Sequence, residues 1–340
     1  MLKSGKTVVT GGAGFIGSAL VWGLNQLGVD RILVVDRLDS SEKWRNLSPL
    51  KFEDYTDADD FAMRVKEQPR AFGDVSAVLH LGANSSTTEM DAGALVRNNF
   101  EYSKLMAAWT SNMDARFVYA SSAATYGAIE GNVSESIPIR NLRPLNAYAF
   151  SKQIFDLWAE RTGLLKRAAG LKYFNVFGPN EAHKGDMRSM VCRAFEQIRE
   201  TGTVRLFRSE RPQFRDGEQL RDFLYIKDAV SMTLHLATTP SAVGLFNLGS
   251  GTAHTWLDLV SAAFDACGVK RKVEFIDMPE RLKSRYQYHT CANIGRLRET
   301  GYHSDVTELS AAVSDYVRAY LIPGCRLGDE TSSGEPPDFR

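Results

Sequence analysis

The sequence predicts an α/β fold, a Rossmann-type doubly wound parallel sheet with a smaller C-terminal α/β lobe. Three observations lead there. Short β-branched runs alternate with helical spacing through the first half of the 340-residue chain, the pattern of parallel strands joined by crossover helices. Three glycines, Gly11, Gly14 and Gly17, follow the first strand and open the first helix. An acidic residue, Asp36, closes the second strand about 20 residues on.

In chain order, TVVT at 7–10 reads as the first strand and Ser18–Leu27 as the first helix. RILVVD at 31–36 and AVLHLGA at 77–83 are the next strands, and a helical pattern covers Ala94–Thr110. RFVYASS at 116–122, a helix over Ala149–Thr162 and LKYFNVFG at 171–178 complete the first unit, assigned mainly to residues 1–178. Beyond about residue 180 the pattern loosens. A helix at Arg188–Glu200 precedes VRLF, the polar stretch RSERPQFRDGEQLRD and a helix at Ile226–Ala237. LFNLG, a helix from Thr255 to Cys267, VEFIDMP and a last helix at Thr307–Tyr320 follow, giving a second lobe mainly over 179–322. Residues 323–340, rich in Gly, Pro, Ser and charge, are expected to form a disordered tail. No internal repeat is visible.

Apolar residues make up 44% and charged residues 24%, ordinary for a globular chain. Net charge is zero, so global electrostatics favours neither nucleic acid nor an anionic membrane as partner. The cysteines Cys192, Cys267, Cys291 and Cys325 lack CxxC or Cys/His spacing, which fits free thiols, a reducing cytoplasm and no metal site. Nothing at the start reads as a signal peptide, and no run approaches the ~18 apolar residues that span a bilayer. The expectation is a soluble cytoplasmic protein.

The chemistry begins at TVVTGGAGFIG. Glycines there permit a tight turn and close backbone approach to a pyrophosphate at the positive end of a helix. Asp36 sits where a carboxylate binds an adenosine ribose. Asp36 alone favours NAD, because it repels a 2′-phosphate. Arg37 and Lys43 on the same loop offset that repulsion, so NADP and NAD both stay open on the residues. Downstream, RFVYASSAATYG ends a strand on Ser121 and Ser122, and NAYAFSK supplies Tyr148 and Lys152 four apart on one helix face. A phenol with an ordinary pKa of about 10 is a poor base at neutral pH. The Lys152 ammonium and a positive nicotinamide are expected to lower it, while Ser122 orients a substrate oxygen.

TGGAGFIG, LHLGA, YASSAATYG, YxxxK and FNVFGP together resemble the extended short-chain dehydrogenase/reductase family of nucleotide-sugar epimerases and dehydratases, over nearly the whole chain to about residue 322. The resemblance implies an NAD(P)-binding N-terminal lobe, a nucleotide-sugar-binding C-terminal lobe and self-association into a homo-oligomer. Dehydratases of the family carry Asp-Glu where this chain has Ala123-Ala124, which favours an epimerase. ANSSTTEMD, NNFEYSK, FNVFGPNEAHKGDM, LRDFLYIKD and RLKSRYQYHT are similar to the branch acting on ADP-glycero-manno-heptose at C6 in the supply of lipopolysaccharide inner-core precursors, with bound NADP and no net redox change.

By that likeness Tyr148 and Lys184 are the proton-transfer groups on two sides of the sugar carbon, with Lys152 and Ser122 assisting. Phe15, Ile16, Asp36, Arg37 and Lys43 would contact the cofactor, as would Leu81, Gly82, Ala83, Asn84, Ser85, Asn98, Val176 and Lys184. Asn175, Asp186, Arg193, Phe207, Arg208, Ser209, Arg221 and Tyr286 would line the substrate side. The chain departs from the family pattern at Asp186, where a serine is usual, at Arg193, where a histidine is expected, and in a longer segment between Ser209 and Arg221. Another nucleotide-sugar epimerase or reductase, and a non-catalytic NAD(P)-binding sensor, remain the alternatives; the sensor has no use for the Ser122, Tyr148 and Lys152 set.

Overall fold

In the computed structural model, which describes Leu2 and residues 4–283 and 286–329, seven parallel strands form one sheet. They are β1 (Lys6–Thr10), β2 (Ile32–Asp36), β3 (Asp54–Asp57), β4 (Val75–His80), β5 (Arg116–Ser122), β6 (Ala168–Tyr173) and β7 (Gly244–Leu248). Their spatial order is β7-β6-β5-β4-β1-β2-β3. Strand order therefore reverses beside β1, and in such sheets a crevice opens at the carboxyl ends of the strands. The register brings those ends level, with Thr10 opposite both Val35 and His80 and Ser122 opposite Tyr173.

The sheet is covered on both faces, and its strands read as apolar runs for that reason: Val8, Val9, Val34, Val78 and Leu79 are all 0% exposed. On one face the helix Phe15–Gln26 meets the helix Ile226–Thr238. Their axes approach closely at Gly23, where an added Cβ would lie 2.4 Å from Val230 Cγ1. Smaller sheets build the other lobe: Asn175–Phe177 with Leu220–Tyr225 and Ala253–Thr255, and Val204–Phe207 with Val273–Ile276.

Four features differ from the sequence reading. The edge strand β3, DYTD, carries charge at both ends and was not expected, since charged edges resist further pairing but give no apolar signal. LKYFNVFG is two strands: the chain leaves the main sheet at Phe174, whose N–H donates to Leu248 O, and Asn175–Phe177 joins the other lobe. LFNLG returns to the main sheet as β7, well past the expected boundary at 178. The first part of the expected tail is fixed, with Leu327 fully buried and its N–H donating to Asn180 Oδ1 at 3.1 Å. Residues 330–340 of that tail lie outside the described residues.

One buried charge cluster joins sheet and helix. Asp156, 0% exposed on the helix Ala147–Arg161, pairs with Lys172 Nζ of β6 at 2.9 Å. It also accepts from Tyr119 Oη at 3.0 Å and Ser121 Oγ at 2.7 Å, both on β5. Lys172 completes its shell by donating to Thr125 Oγ1 at 2.6 Å. Removing one partner of a buried pair strands the other charge in the interior. Asp156→Ala should therefore cost about 3–5 kcal/mol in urea unfolding, and a loss under about 1 kcal/mol, the scale of an exposed pair, would contradict this account.

Candidate functional site

A cleft of about 1510 Å³ opens at the carboxyl ends of β1, β4 and β5. It gathers Gly11, Gly14, Phe15, Ile16, Gly17, Asp36, Arg37, Lys43, Leu81 to Ser85 and Asn98 on one side. Ser122, Tyr148, Lys152, Asn175, Val176 and Lys184 line the same cleft. Among the described residues, Asp186, Arg193, Phe207, Arg208, Ser209, Arg221 and Tyr286 lie outside its lining.

The glycine turn has the shape a diphosphate requires. Gly11 has φ +69°, and a Cβ there would lie 2.8 Å from Gly82 N. At Gly17 an added Cβ would sit 2.0 Å from Gly11 O, so only glycine lets the helix pack on its own turn. Gly14 caps a helix with no side-chain cap and no acidic residue in its first turn. Its first-turn N–H groups and positive dipole end thus stay available to an anion. The residues fit the phosphates of a dinucleotide.

Asp36 is held toward that turn. Its Oδ2 accepts from Ala13 N at 2.9 Å and its Oδ1 from Arg37 N at 2.8 Å, while Lys43 Nζ pairs with Oδ1 at 3.0 Å. Tyr55 Oη donates to the Asp36 carbonyl at 2.7 Å, which ties the unexpected strand β3 to the site. Arg37 stacks its donors on Asp59, with Nε to Oδ2 at 3.0 Å, and its Nη1 reaches Asn98 Oδ1 at 3.5 Å.

Tyr148, Lys152 and Asp156 share one face of their helix, four residues apart. Asn146 caps that helix by accepting from Ala149 N at 2.8 Å. Lys152 Nζ donates to Ala120 O at 2.8 Å, and burial pushes its pKa down to about 8, against the pull of Asp156. Tyr148 hydrogen-bonds Ser122, whose Oγ also accepts from Ala124 N at 3.1 Å. Here the sequence expectation needs correction. Burial drives the Tyr148 phenol above its ordinary value, and the opposing influence in the structure is the Ser122 hydrogen bond rather than Lys152, which is engaged with a carbonyl. A further positive charge in the cleft is needed to bring the phenol down.

Lys184 comes from a separate segment. A 3₁₀ turn over Ala182–Met187, broken at Gly185 with φ 54°, presents it with Nζ 4.9 Å from the Phe15 ring centroid. The side chain is half-buried, and desolvation lowers its pKa while Glu181 opposes the fall. Beside it, His183 Nδ1 lies 3.2 Å from Asn46 Nδ2, and burial with the Lys184 and Lys43 charges takes its pKa down to about 4.

The substrate-side residues read from the sequence are spread out. Asp186 is exposed, and Arg193 is exposed on the helix Met190–Thr201. Phe207 accepts from Gln219 Nε2 through its carbonyl, and Arg208 and Ser209 are tied to Asp216. Arg221 and Tyr286 stand just behind the cleft wall: the guanidinium lies 5.0 Å from the Tyr286 ring centroid and 5.7 Å from that of Trp256. Trp256, which does line the cleft, donates Nε1–H to Tyr286 Oη at 2.9 Å.

A polar chain beneath the floor escaped the sequence reading. Gly82 N donates to Thr10 Oγ1 at 3.1 Å, and Thr10 Oγ1 meets His80 Nδ1 at 2.7 Å. His80 Nε2 meets Ser103 Oγ at 2.8 Å, and Ser103 donates to Asn99 O. Since the Ser103 proton is committed to Asn99, Nε2 must carry the imidazole hydrogen and Nδ1 must accept from Thr10. Asn99 then accepts from Asn84 N at 2.8 Å and donates to Ser151 Oγ at 2.9 Å, joining the β4 end to the Tyr148 helix. Asn99 lay within NNFEYSK, one place from a residue that the likeness did assign.

The family described as NAD dependent epimerase/dehydratase matches residues 7–249. A protein of Nitratidesulfovibrio vulgaris (strain Hildenborough) named ADP-L-glycero-D-manno-heptose-6-epimerase is 50% identical over 315 residues, 92% of this chain and 97% of its own. One of the same name from Fusobacterium nucleatum is 42% identical over 324 residues, with 92% and 97% covered. Among solved structures, ADP-L-glycero-D-manno-heptose-6-epimerase of Helicobacter pylori superposes with TM-score 0.80 at 26% identity, covering 94% of this chain and 96% of that one. UDP-N-acetylglucosamine 4-epimerase of Methanobrevibacter ruminantium gives TM-score 0.80 at 24% identity, with 94% and 99% covered, which speaks for the fold.

The chain through His80 has a pH consequence. Burial and the Lys152 charge take the His80 pKa from 6.5 to about 3, so the folded state refuses a proton that the unfolded state accepts. The stability this neutral ring contributes is present above pH 6.5 and is lost as pH falls toward 3. NMR should show His80 as the neutral Nε2–H tautomer without titration between about pH 5 and 8; a midpoint inside that window would contradict the assignment.

Proposed function

Because the chain belongs to the NAD dependent epimerase/dehydratase family, we propose that it inverts C6 of the heptose in ADP-glycero-manno-heptose using bound NADP. The observation that carries this reading is Lys184: a half-buried amine from its own loop shares one cleft with Tyr148, Ser122 and Lys152. The names of the relatives at 50% and 42% identity supply the substrate. In this reading the product serves the making of lipopolysaccharide inner-core precursors.

When bound, NADP supplies a hydride acceptor and donor for C6, which passes through a ketone. The chain's own residues handle the proton and the pose. Ser122 holds the C6 oxygen and Tyr148 exchanges its proton on one side of the carbon. Lys184 exchanges the proton on the other, because a single group cannot follow an oxygen that changes sides. Burial suits Lys184 to this work by drawing it from ordinary ammonium behaviour toward neutrality. With a cofactor bound, Lys152 would donate to its ribose. Trp256 and Asn175 border the sugar. For NADP over NAD, the support is that Lys43 already offsets the Asp36 carboxylate and that Arg37 and Lys43 both line the cleft.

Incubation with ADP-D-glycero-D-manno-heptose should yield both C6 epimers by NMR without net cofactor turnover. Failure to interconvert them, with turnover of a UDP-hexose instead, would replace the substrate. Lys184→Met should lower epimerisation at least ~100-fold, the scale of losing a general acid or base, with cofactor retained. Near-full activity would make Lys184 a surface charge. Lys43→Ala should weaken NADP binding ~10–100-fold and NAD binding far less, the size of a lost charge-assisted contact; equal effects on both would assign the site to NAD.

A further inference from the structure

Glu181 lies three residues before Lys184 and is 0% exposed. The Ser189 N–H donates to its Oε2 at 2.6 Å, and the Ser189 hydroxyl to its Oε1 at 2.5 Å. Tyr316, from the C-terminal helical segment, donates its hydroxyl to Oε1 at 3.1 Å. Three donors converging on two oxygens is the pattern that suits an ionised carboxylate, which can only accept.

That arrangement closes a loop. Glu181 and Ser189 bracket the whole turn that presents Lys184; Glu181 is buried and Ser189 half-buried, while Ala182, Gly185 and Asp186 between are exposed. Within it, Lys184 N donates to Glu181 O at 3.0 Å. The residue before Glu181 is pinned as well: Asn180 O accepts from Asn46 Nδ2 at 3.1 Å, and Asn180 Nδ2 donates to Ser18 Oγ at 3.0 Å. A turn with fixed ends and an open middle holds its one buried-facing amine in place while leaving room for a ligand.

We propose that Glu181 is a positioning residue for Lys184, its buried carboxylate pinning, through Ser189 and Tyr316, the turn that carries the lysine and serving as the amine's counter-charge. The inference rests on the reading of Lys184 as a proton-transfer group. The charges around the pair support it. Lys184 faces Glu181 and Cys192, with His183, Lys43 and Asp36 next along the cleft. Cys192 is pushed up to about 11, so its thiol is neutral, and Tyr316 is pushed up beside the carboxylate. Arg188 is spent on Glu196. Burial raises the Glu181 pKa, and Lys184 is the largest influence opposing that rise, ahead of the Ser189 and Tyr316 donors; Glu181 in turn is the largest influence opposing the burial-driven fall of Lys184.

The test uses the full-length protein, loaded with its co-purified cofactor and labelled in lysine for NMR, with the Lys184 side-chain signal assigned by its loss in Lys184→Met. Glu181→Gln should move the Lys184 titration midpoint toward acid by ~1 unit or more, the usual scale for losing a neighbouring opposite charge. If that variant does not fold, Tyr316→Phe weakens the carboxylate's hold on its charge and should move the midpoint the same way by less. A lowered melting temperature with an unmoved midpoint in the folded variant would reduce Glu181 to a structural brace and overturn the proposal. Epimerisation by Lys184→Met separately judges the role of the lysine, since the titration reads the coupling whether or not that reading holds.

Discussion

The carboxylate of Asp156 fixes how deeply the Tyr148 helix sits against the sheet. It is reached by Tyr119 and Ser121 of β5 and by Lys172 of β6, so one side chain sets the helix against two strands at once. Because Tyr148, Lys152 and Asp156 follow one another at single helical turns, holding the third holds the first two. Lys152 then falls on the Ala120 carbonyl and Tyr148 on Ser122. A buried ion pair is seldom the most stable choice for an interior, since desolvation consumes most of the attraction. What this one contributes is position: an apolar substitute could slide, whereas three donors aimed at two oxygens cannot.

Burial then acts on Tyr148, Lys152 and Lys184, and in opposite senses. It lifts Tyr148 away from ionisation and draws Lys152 and Lys184 away from charge. Lysines poised nearer neutrality can exchange protons, but a phenol driven upward cannot serve as a base unaided. The chain alone offers Tyr148 only the Ser122 hydrogen bond as counterweight. Such a site is fit for work once a cationic cofactor shares it, and the uncapped helix end at Gly14 and the glycine turn supply the seat.

The parts of this fold legible in the sequence were those with a local signature. Alternating strands and helices, the glycine turn, Asp36 and the Tyr148–Lys152 spacing each announce themselves within a few residues. What stayed hidden depended on partners far along the chain. A five-residue apolar run such as LFNLG carries no mark of which sheet it joins, and β7 is set by β6, some 75 residues earlier. DYTD looks like a loop because its charges belong to an edge. Asp156 and Lys172 each read as surface charges until the fold buries them together. Likewise Glu181 stood in the stretch already singled out, yet its value comes from Ser189 and Tyr316. The substrate side was least legible. Phe207, Arg208 and Ser209 are bound to neighbours of their own lobe, and Trp256, with no motif to flag it, takes the place at the cleft wall.

In the proposed reaction Tyr148 and Lys184 serve two sides of one carbon. The most direct measurement is a crystal structure of the Tyr148→Phe variant with NADP and ADP-glycero-manno-heptose bound. The predicted arrangement puts C6 between the residue-148 ring and Lys184 Nζ, with the amine within ~3.5 Å of the C6 oxygen in one of its two poses. A Lys184 side chain that meets the diphosphate or solvent instead, with C6 approached by protein only from the residue-148 side, would contradict it.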